Sequence, residues 1–205
     1  MNKAMTRISF SLIALLPVLL AACVSDNQPS KLYVLSAIEP PAQRSTQGLA
    51  LSVGPVLLPK YLDRPQIVTR PTANELTVAE FDRWGGRLED NVAQVIGENL
   101  SRRLRTSRVA LFPAEAAGRA DLRISITISR FECVSESGEC LLDARWQIAP
   151  PAQGPAAVQP TRGASALTAR SASGGSAAVA AAMSQLLGSL SAEIADGIST
   201  RASGR

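Results

Sequence analysis

Three thiols, a group of carboxylates and many serines are the side chains from which chemistry would have to be built here. The chain has no histidine. That excludes Ser-His-Asp and Cys-His catalysis, histidine general bases and most zinc sites. Asp82, Glu89, Asp90 and Glu98 could offer a carboxylate pair, but Asp82, Asp90 and Glu98 fit the solvated face of a helix. The serines have no partner base, and no glycine loop opens a helix in the form that cradles phosphate. The chain is therefore expected not to be an enzyme and to hold no metal. Cys133 and Cys140 are better placed. They flank Ser135-Glu136-Ser137-Gly138, a four-residue turn. Pairing across that turn sets the two cysteines opposite each other on one face. Opposed residues of an antiparallel pair have Cβ atoms about 4.5–5.5 Å apart, close enough for a bridge after slight adjustment.

The third thiol has a different setting. Lys3 and Arg7 precede an apolar run over residues 8–20, and small residues follow. That is the layout of a secretory signal. Leu20-Ala21-Ala22-Cys23 resembles a bacterial lipobox. The resemblance implies that Cys23 receives a diacylglycerol thioether, that the chain is cut before it, and that the new amine is acylated. The alternative is a transmembrane anchor. The run is near 13 residues and contains Pro17, whereas a span needs about 20. Two or three acyl chains hold a protein on a bilayer far more firmly than one. The reading divides the chain into a signal peptide over 1–22, a lipidated cysteine and tether over 23–30, and one domain over 31–201. No cofactor is expected beyond the covalent lipid on Cys23. An exported chain with Cys23 acylated leaves Cys133 and Cys140 as an oxidised pair rather than two free thiols.

Seven tether residues reach at most about 25 Å, so the domain stays near its membrane. Residue 24 is valine. In enteric-type bacteria an aspartate there tends to retain lipoproteins in the inner membrane. Val24 thus points to the outer membrane, on its periplasmic face.

Removing residues 1–22 from the 205 leaves 183, enough for one domain with a real core. The precursor has 21 basic and 17 acidic residues. Lys3 and Arg7 leave with the signal, so the mature balance is 19 against 17. No basic block is dense enough for a nucleic-acid footprint. Aromatics make up only 4%, poor material for stacking on sugars or bases.

The elements that must position these residues read as strands, helix, strands, helix. Residues 31–37 and 49–58 are strand-like, the second interrupted by Gly54-Pro55, which calls for a bulge or an edge. Residues 59–70 are the most individual stretch: Pro59 and Pro65 frame Tyr61-Leu62-Asp63-Arg64. A strand over 75–81 is a hairpin partner. Asp82 is placed to cap a helix to about residue 105, with Leu88, Val92, Ile96, Leu100 and Leu104 four apart. Glu89, Asn99 and Arg103 fall inside its apolar sector, either at a wet margin or against a partner. Leu122, Ile124, Ile126 and Ile128 alternate cleanly, then slip; a bulge near Ser129-Arg130 restores Phe131 and Cys133 to the same face. Cys140, Leu142, Ala144, Trp146 and Ile148 form the returning face. Residues 150–160 read as a floppy connection, 161–170 as a weak strand, and 177–199 as a second helix. The fold class is α/β (α+β): a single domain with a mixed, mostly antiparallel sheet backed by two amphipathic helices.

The order lipobox, Leu32-Tyr33-Val34-Leu35, the Leu57-to-Val68 block, Trp84 heading a helix, Ala144-Arg145-Trp146 and a terminal Met183-Ser184-Gln185-Leu186-Leu187 helix resembles the ABC-type transport auxiliary lipoproteins, the PqiC (YmbA) family. The similarity spans nearly the whole mature chain, and Tyr61-Leu62-Asp63-Arg64-Pro65-Gln66-Ile67-Val68 is its most specific part. The resemblance implies a non-enzymatic outer-membrane lipoprotein. It would work with an MCE-domain tunnel protein in phospholipid transport between membranes, as a ring-like homo-oligomer docked on the tunnel. Phospholipid is a candidate ligand; nucleic acid is not. Tyr61, Leu62, Asp63 and Arg64 are the candidate contact loop, because aromatic and arginine residues are favoured at interface centres. The competing reading has Tyr61 and Leu62 plugging the core. Two other functions are a lipoprotein activator of a cell-wall synthase and a lipid-binding periplasmic chaperone. The 150–160 insert and the Cys133/Cys140 pair have no place in the family pattern.

Overall fold

The computed structural model describes residues 28–38, 48–114, 119–150 and 159–203. Cys23, most of the tether and nearly all of the 150–160 insert lie outside them. Eight strands form one mixed sheet. They are β1 (Lys31–Tyr33), β2 (Leu51–Leu57), β3 (Gln66–Thr72), β4 (Glu75–Trp84), β5 (Val109–Leu111), β6 (Leu122–Cys133), β7 (Glu139–Ala149) and β8 (Thr161–Arg170). Two helices complete the domain, α1 (Leu88–Leu104) and α2 (Ser176–Ser203). A single 3-10 turn, Lys60–Leu62, joins β2 to β3.

Strand β6 is the spine. Along one edge it pairs antiparallel with β7, which pairs antiparallel with β8. Its other edge is shared. Strand β2 runs parallel to its first half, Leu51 beside Leu122 through Leu57 beside Thr127. Strand β3 joins the far end, with Thr69 beside Cys133. The sheet therefore forks: β5 lies outside β2, and β4 then β1 lie outside β3. The longest ladders are antiparallel, while β1, β2 and β5 join in parallel.

The alternation on β6 does what period-two patterning requires. Leu122, Ile124, Ile126 and Ile128 are buried, and Arg123, Ser125 and Thr127 look outward. The register shifts between Ile128 and Arg130. Ser129 is the bulged residue, and it returns Phe131 and Cys133 to the core face opposite Leu142 and Cys140. Helix α1 lies on β2 and β5, α2 on β7 and β8, and the helices touch each other. Both therefore cover one face of the sheet. Val92, Ile96 and Leu100 from α1 and Leu187, Leu190, Ile194 and Ile198 from α2 are sealed against it. Full burial of each such side chain stabilises by about 1.5–3 kcal/mol.

Helix α2 packs closely because one side is built of small residues. Ser184, Ser191 and Ser199 return their hydroxyls to the carbonyls of Ala180, Leu187 and Ala195, which makes them tolerable in the interior. The helix is long and apolar enough to span a membrane, but about half of that window is buried in the domain. That burial is what a core helix shows.

Trp146 is buried on β7 opposite Gly163. A Cβ at Gly163 would lie 2.1 Å from the indole, and one at Gly197 of α2 3.1 Å. The ring occupies the space that both glycines leave open. Its Nε1 donates to Ser165 Oγ at 3.0 Å, and Ser165 in turn donates to Glu193.

Two expectations are corrected. The stretch from Asp82 to Trp84 is not the start of a helix: β4 continues through it, paired with Lys31, Leu32 and Tyr33 of β1. Gly85 and Gly86 break the strand, and α1 begins at Leu88 behind Arg87, whose side chain makes no cap bond. Asp82 instead accepts from Ser176 Oγ at 2.6 Å and Tyr33 OH at 3.4 Å, tying β4 to the head of α2. Strand β1 is also shorter than expected. The chain beyond it crosses the helices, where Ile38 N donates to Asn99 Oδ1 at 2.9 Å and Ser36 N to Ser184 Oγ at 3.1 Å. Asn99 is therefore a buried strut, 1% exposed, and is not available to a partner.

Candidate docking turn and its buried anchor

Residues 59–65 bridge the two arms of the fork. Proline fixes the backbone at each end and removes a donor. Between the prolines the chain closes on itself. Leu62 N donates to Pro59 O at 2.9 Å, Asp63 N to Lys60 O at 3.1 Å, and Arg64 N to Leu62 O at 2.8 Å. The Pro65 carbonyl accepts from Trp84 N at 2.7 Å, which pins the exit to the end of β4.

The turn sorts its four central side chains. Leu62 is sealed in the core at 3% exposure. Tyr61 is partly buried, while Asp63 and Arg64 are exposed, as is Lys60 before them. The four candidate contact residues thus divide: Tyr61 and Leu62 point inward as anchors, and Asp63 and Arg64 point outward. Of the alternatives on the first helix, Asn99 is buried, Glu89 receives Arg87 at 3.0 Å, and Arg103 is partly buried.

What Tyr61 is anchored to escapes a sequence reading. Its hydroxyl donates to Glu132 Oε2 at 2.6 Å. Glu132 lies between Phe131 and Cys133 on β6, with its side chain wholly buried. The other carboxylate oxygen, Oε1, receives Arg70 Nε at 2.6 Å and Arg130 Nε at 3.3 Å. The Phe131 N–H adds a bond to Oε2 at 3.2 Å. Arg70 also donates to Ala73 O at 2.9 Å and lies over the Tyr61 ring, 5.6 Å from its centroid. A buried carboxylate is costly unless paired and fully hydrogen-bonded, and this one is.

The electrostatics follow from the geometry. Burial pushes the Glu132 carboxyl up, but the Tyr61 hydroxyl and the Arg70 guanidinium outweigh it and hold it below its ordinary value. Burial, and then the bond to the Glu132 anion, pushes the Tyr61 phenol up to about 12. The bond to Glu132 likewise raises Arg70. All three stay in their ordinary charge states across the physiological range. With both oxygens held, Glu132 is a poor candidate for a general base. Among the described residues no group of three or more His, Cys, Asp or Glu is placed to hold a metal. The one signal available in sequence was parity: once Ser129 bulges, Glu132 falls on the face away from Phe131, where a lone acid at the end of an apolar strand calls for a cation.

Beside the anchor, Cys133 and Cys140 are joined as a disulfide with Cα atoms 3.8 Å apart. The bridge closes the end of the β6–β7 hairpin, one residue beyond Glu132.

These features describe a scaffold that holds a rigid, charged turn out from a sheet covered on one face by two helices. Residues 33–195 match the family model described as the ABC-type transport auxiliary lipoprotein component. The chain belongs to that family, and membership associates it with the cell envelope and with transport as an auxiliary part. Among solved structures it is similar to a crystal structure of an uncharacterised protein, at TM-score 0.67 and 20% identity, over 83% of this chain and 99% of that one. It is also similar to protein XCC0632 from Xanthomonas campestris, at TM-score 0.64 and 18% identity, over 85% and 99%. A weaker likeness, TM-score 0.43 at 14% identity over 77% and 92%, is to the PelC dodecamer from Paraburkholderia phytofirmans. No curated protein matches the chain.

Proposed function

We propose that the protein is a non-enzymatic lipoprotein of the outer membrane. Acyl chains on Cys23 anchor it at the periplasmic face. There it receives the end of an MCE-domain conduit that carries phospholipid between membranes, working as a homo-oligomeric ring. The observation that carries the reading is the turn. Tyr61 and Leu62 are fixed beneath it, so Asp63 and Arg64 are presented on backbone that has little freedom left to lose on binding. A short tether suits docking close to the membrane and is too short for an activator that must reach a cell-wall synthase.

The test is a crosslinked capture from the native envelope by the mature lipoprotein, its Arg64→Ala variant and its Asp63→Lys variant. Both positions are exposed, so melting should match the parent. Loss of the MCE-domain protein or of the ring in both variants supports the reading. A cell-wall synthase in its place, or undiminished capture by both variants, refutes it. The anchor is checked separately: Cys23→Ala should leave the membrane pellet, and finding it there at normal processed size would contradict acylation.

A further inference from the structure

The outward side of the turn is one wall of a cleft. Across it stands the first turn of α1, and the end of β4 forms its back. The space is about 420 Å³, within the range of small-molecule sites, about 300–1,000 Å³. Its floor is apolar: Leu57, Leu58, Leu62, Trp84 and Leu88. Leu57 is 53% exposed there. Lys60, Arg64 and Arg87 also line it, with Asp63 and Glu89. Glu89 is taken by Arg87 at 3.0 Å, which leaves Lys60 and Arg64 against Asp63.

We propose that this cleft binds an anionic single-chain amphiphile, with its acyl tail on the leucine and tryptophan floor and its phosphate between Lys60 and Arg64. Charge complementarity selects an anion over a zwitterion or a neutral lipid. Position agrees: Trp84 pairs with Tyr33 on the N-terminal strand, so the cleft lies one strand from the point where the chain leaves for its tether. The inference rests on the membrane-docked function above and adds a ligand to it. It gives the domain a direct hold on the lipid class that an auxiliary of a lipid conduit would handle.

Trp84 reports on the cleft, and Trp146 is packed against Gly163 and Gly197 instead. The experiment uses the processed chain with Cys23→Ser, free of acyl chains and detergent, and with Trp146→Phe so that Trp84 emits alone. The probe is lysophosphatidylglycerol with a brominated acyl chain, kept below its micelle concentration. Saturable quenching of Trp84 is expected. It should weaken roughly tenfold in Arg64→Glu, the worth of one charge-assisted hydrogen bond, and be lost in Leu57→Asp. Should Trp146→Phe fail to hold its fold by circular dichroism, the parent is titrated and the quenched fraction is read. The unbrominated lipid serves as the zero. Equal quenching by the choline analogue overturns the anionic selection. Displacement by millimolar inorganic phosphate assigns the cations to free phosphate and overturns the lipid. Absent quenching, or quenching indifferent to both variants, overturns the site. Envelope capture by the parent separates the two readings: intact capture by a parent that shows no quenching refutes the cleft alone.

Discussion

Tyr61→Phe removes one oxygen atom and leaves the ring in place. In the parent the hydroxyl donates to the buried Glu132 anion at 2.6 Å. A hydrogen bond to a charged group contributes about 1.5–3 kcal/mol. Glu132 keeps Arg70, Arg130 and the Phe131 N–H in the variant, and Tyr61 is only partly buried, so water can reach the gap. The low end applies, about 1.5–2 kcal/mol at neutral pH. Its pH dependence follows from both groups. The phenol is raised from 10.0 to about 12 on folding. Stability from that shift is complete below pH 10 and is lost as pH climbs towards 12. The Glu132 carboxyl is lowered from 4.5, so its contribution is present above that value and is lost as pH falls through the folded pKa. The gap between parent and Tyr61→Phe should therefore be flat from about pH 5 to 9 and narrow on both flanks.

The assay is urea unfolding of both proteins at pH 3.5, 7 and 11. The slopes should be unchanged, so that the midpoints report stability. Titration of lysines and arginines common to both proteins cancels in the difference. A gap below about 0.5 kcal/mol at pH 7 would show that the carboxylate does not depend on the hydroxyl. A gap undiminished at pH 11 would show that the lost stability did not come from the bond between the phenol and the carboxylate. Either result would remove the anchor from beneath the turn and weaken the argument that Asp63 and Arg64 are rigidly held.

Gly163→Ala should lower stability by about 1–3 kcal/mol, since the new methyl would enter the Trp146 indole; thermal melting of the variant against Gly174→Ala, where no atom lies within 4 Å, isolates the clash from the loss of glycine. Arg105 ends α1 in the left-handed region at φ 52°, so Arg105→Gly should raise stability by about 0.5–1 kcal/mol, seen as a shifted urea midpoint with an unchanged slope. Replacing Cys133 and Cys140 together by alanine should cost about 2–3 kcal/mol, because the closed loop is short; a parent equally stable with and without reductant would contradict it.

Periodicity made β6, β7 and both helices legible, because each buries one face and its apolar residues repeat at the matching interval. The bulge at Ser129 was legible for the same reason: two strand halves of opposite parity can share a core only if one residue is skipped. What failed was the boundary at Asp82. Aspartate is a strong helix cap, and apolar spacing resumes at Leu88, so local preference favours an early start. Tertiary pairing overrides it. Strand β1 offers β4 a parallel partner out to Trp84, and a cap is worth only about 1 kcal/mol. The side chain that would have capped α1 bonds to the head of α2 instead. Parity marks Glu132 as a lone acid, but its anchoring was illegible because its three side-chain partners come from residues 61, 70 and 130, and no local pattern links them.

The fork in the sheet explains why the turn and the buried acid occur together. Strand β2 leaves β6 after Thr127, and β3 rejoins it only at Cys133. Across the interval between them no strand pairs with that edge of β6 among the described residues. An uncovered edge exposes donors and acceptors and invites pairing with other chains. Here the chain crosses the interval as the proline-framed turn, and Tyr61 reaches from it to Glu132. The bulge at Ser129 lies in the same interval, where it interrupts the ladder to β7 least harmfully, because one side of β6 is already unpaired. Turn, bulge and buried carboxylate thus meet at one topological gap. Asp63 and Arg64 project from the point where the sheet has stopped and the chain must stand clear of it. A partner approaching that point meets charge on a fixed backbone, and the leucine and tryptophan floor of the cleft begins on the adjoining side of the same turn.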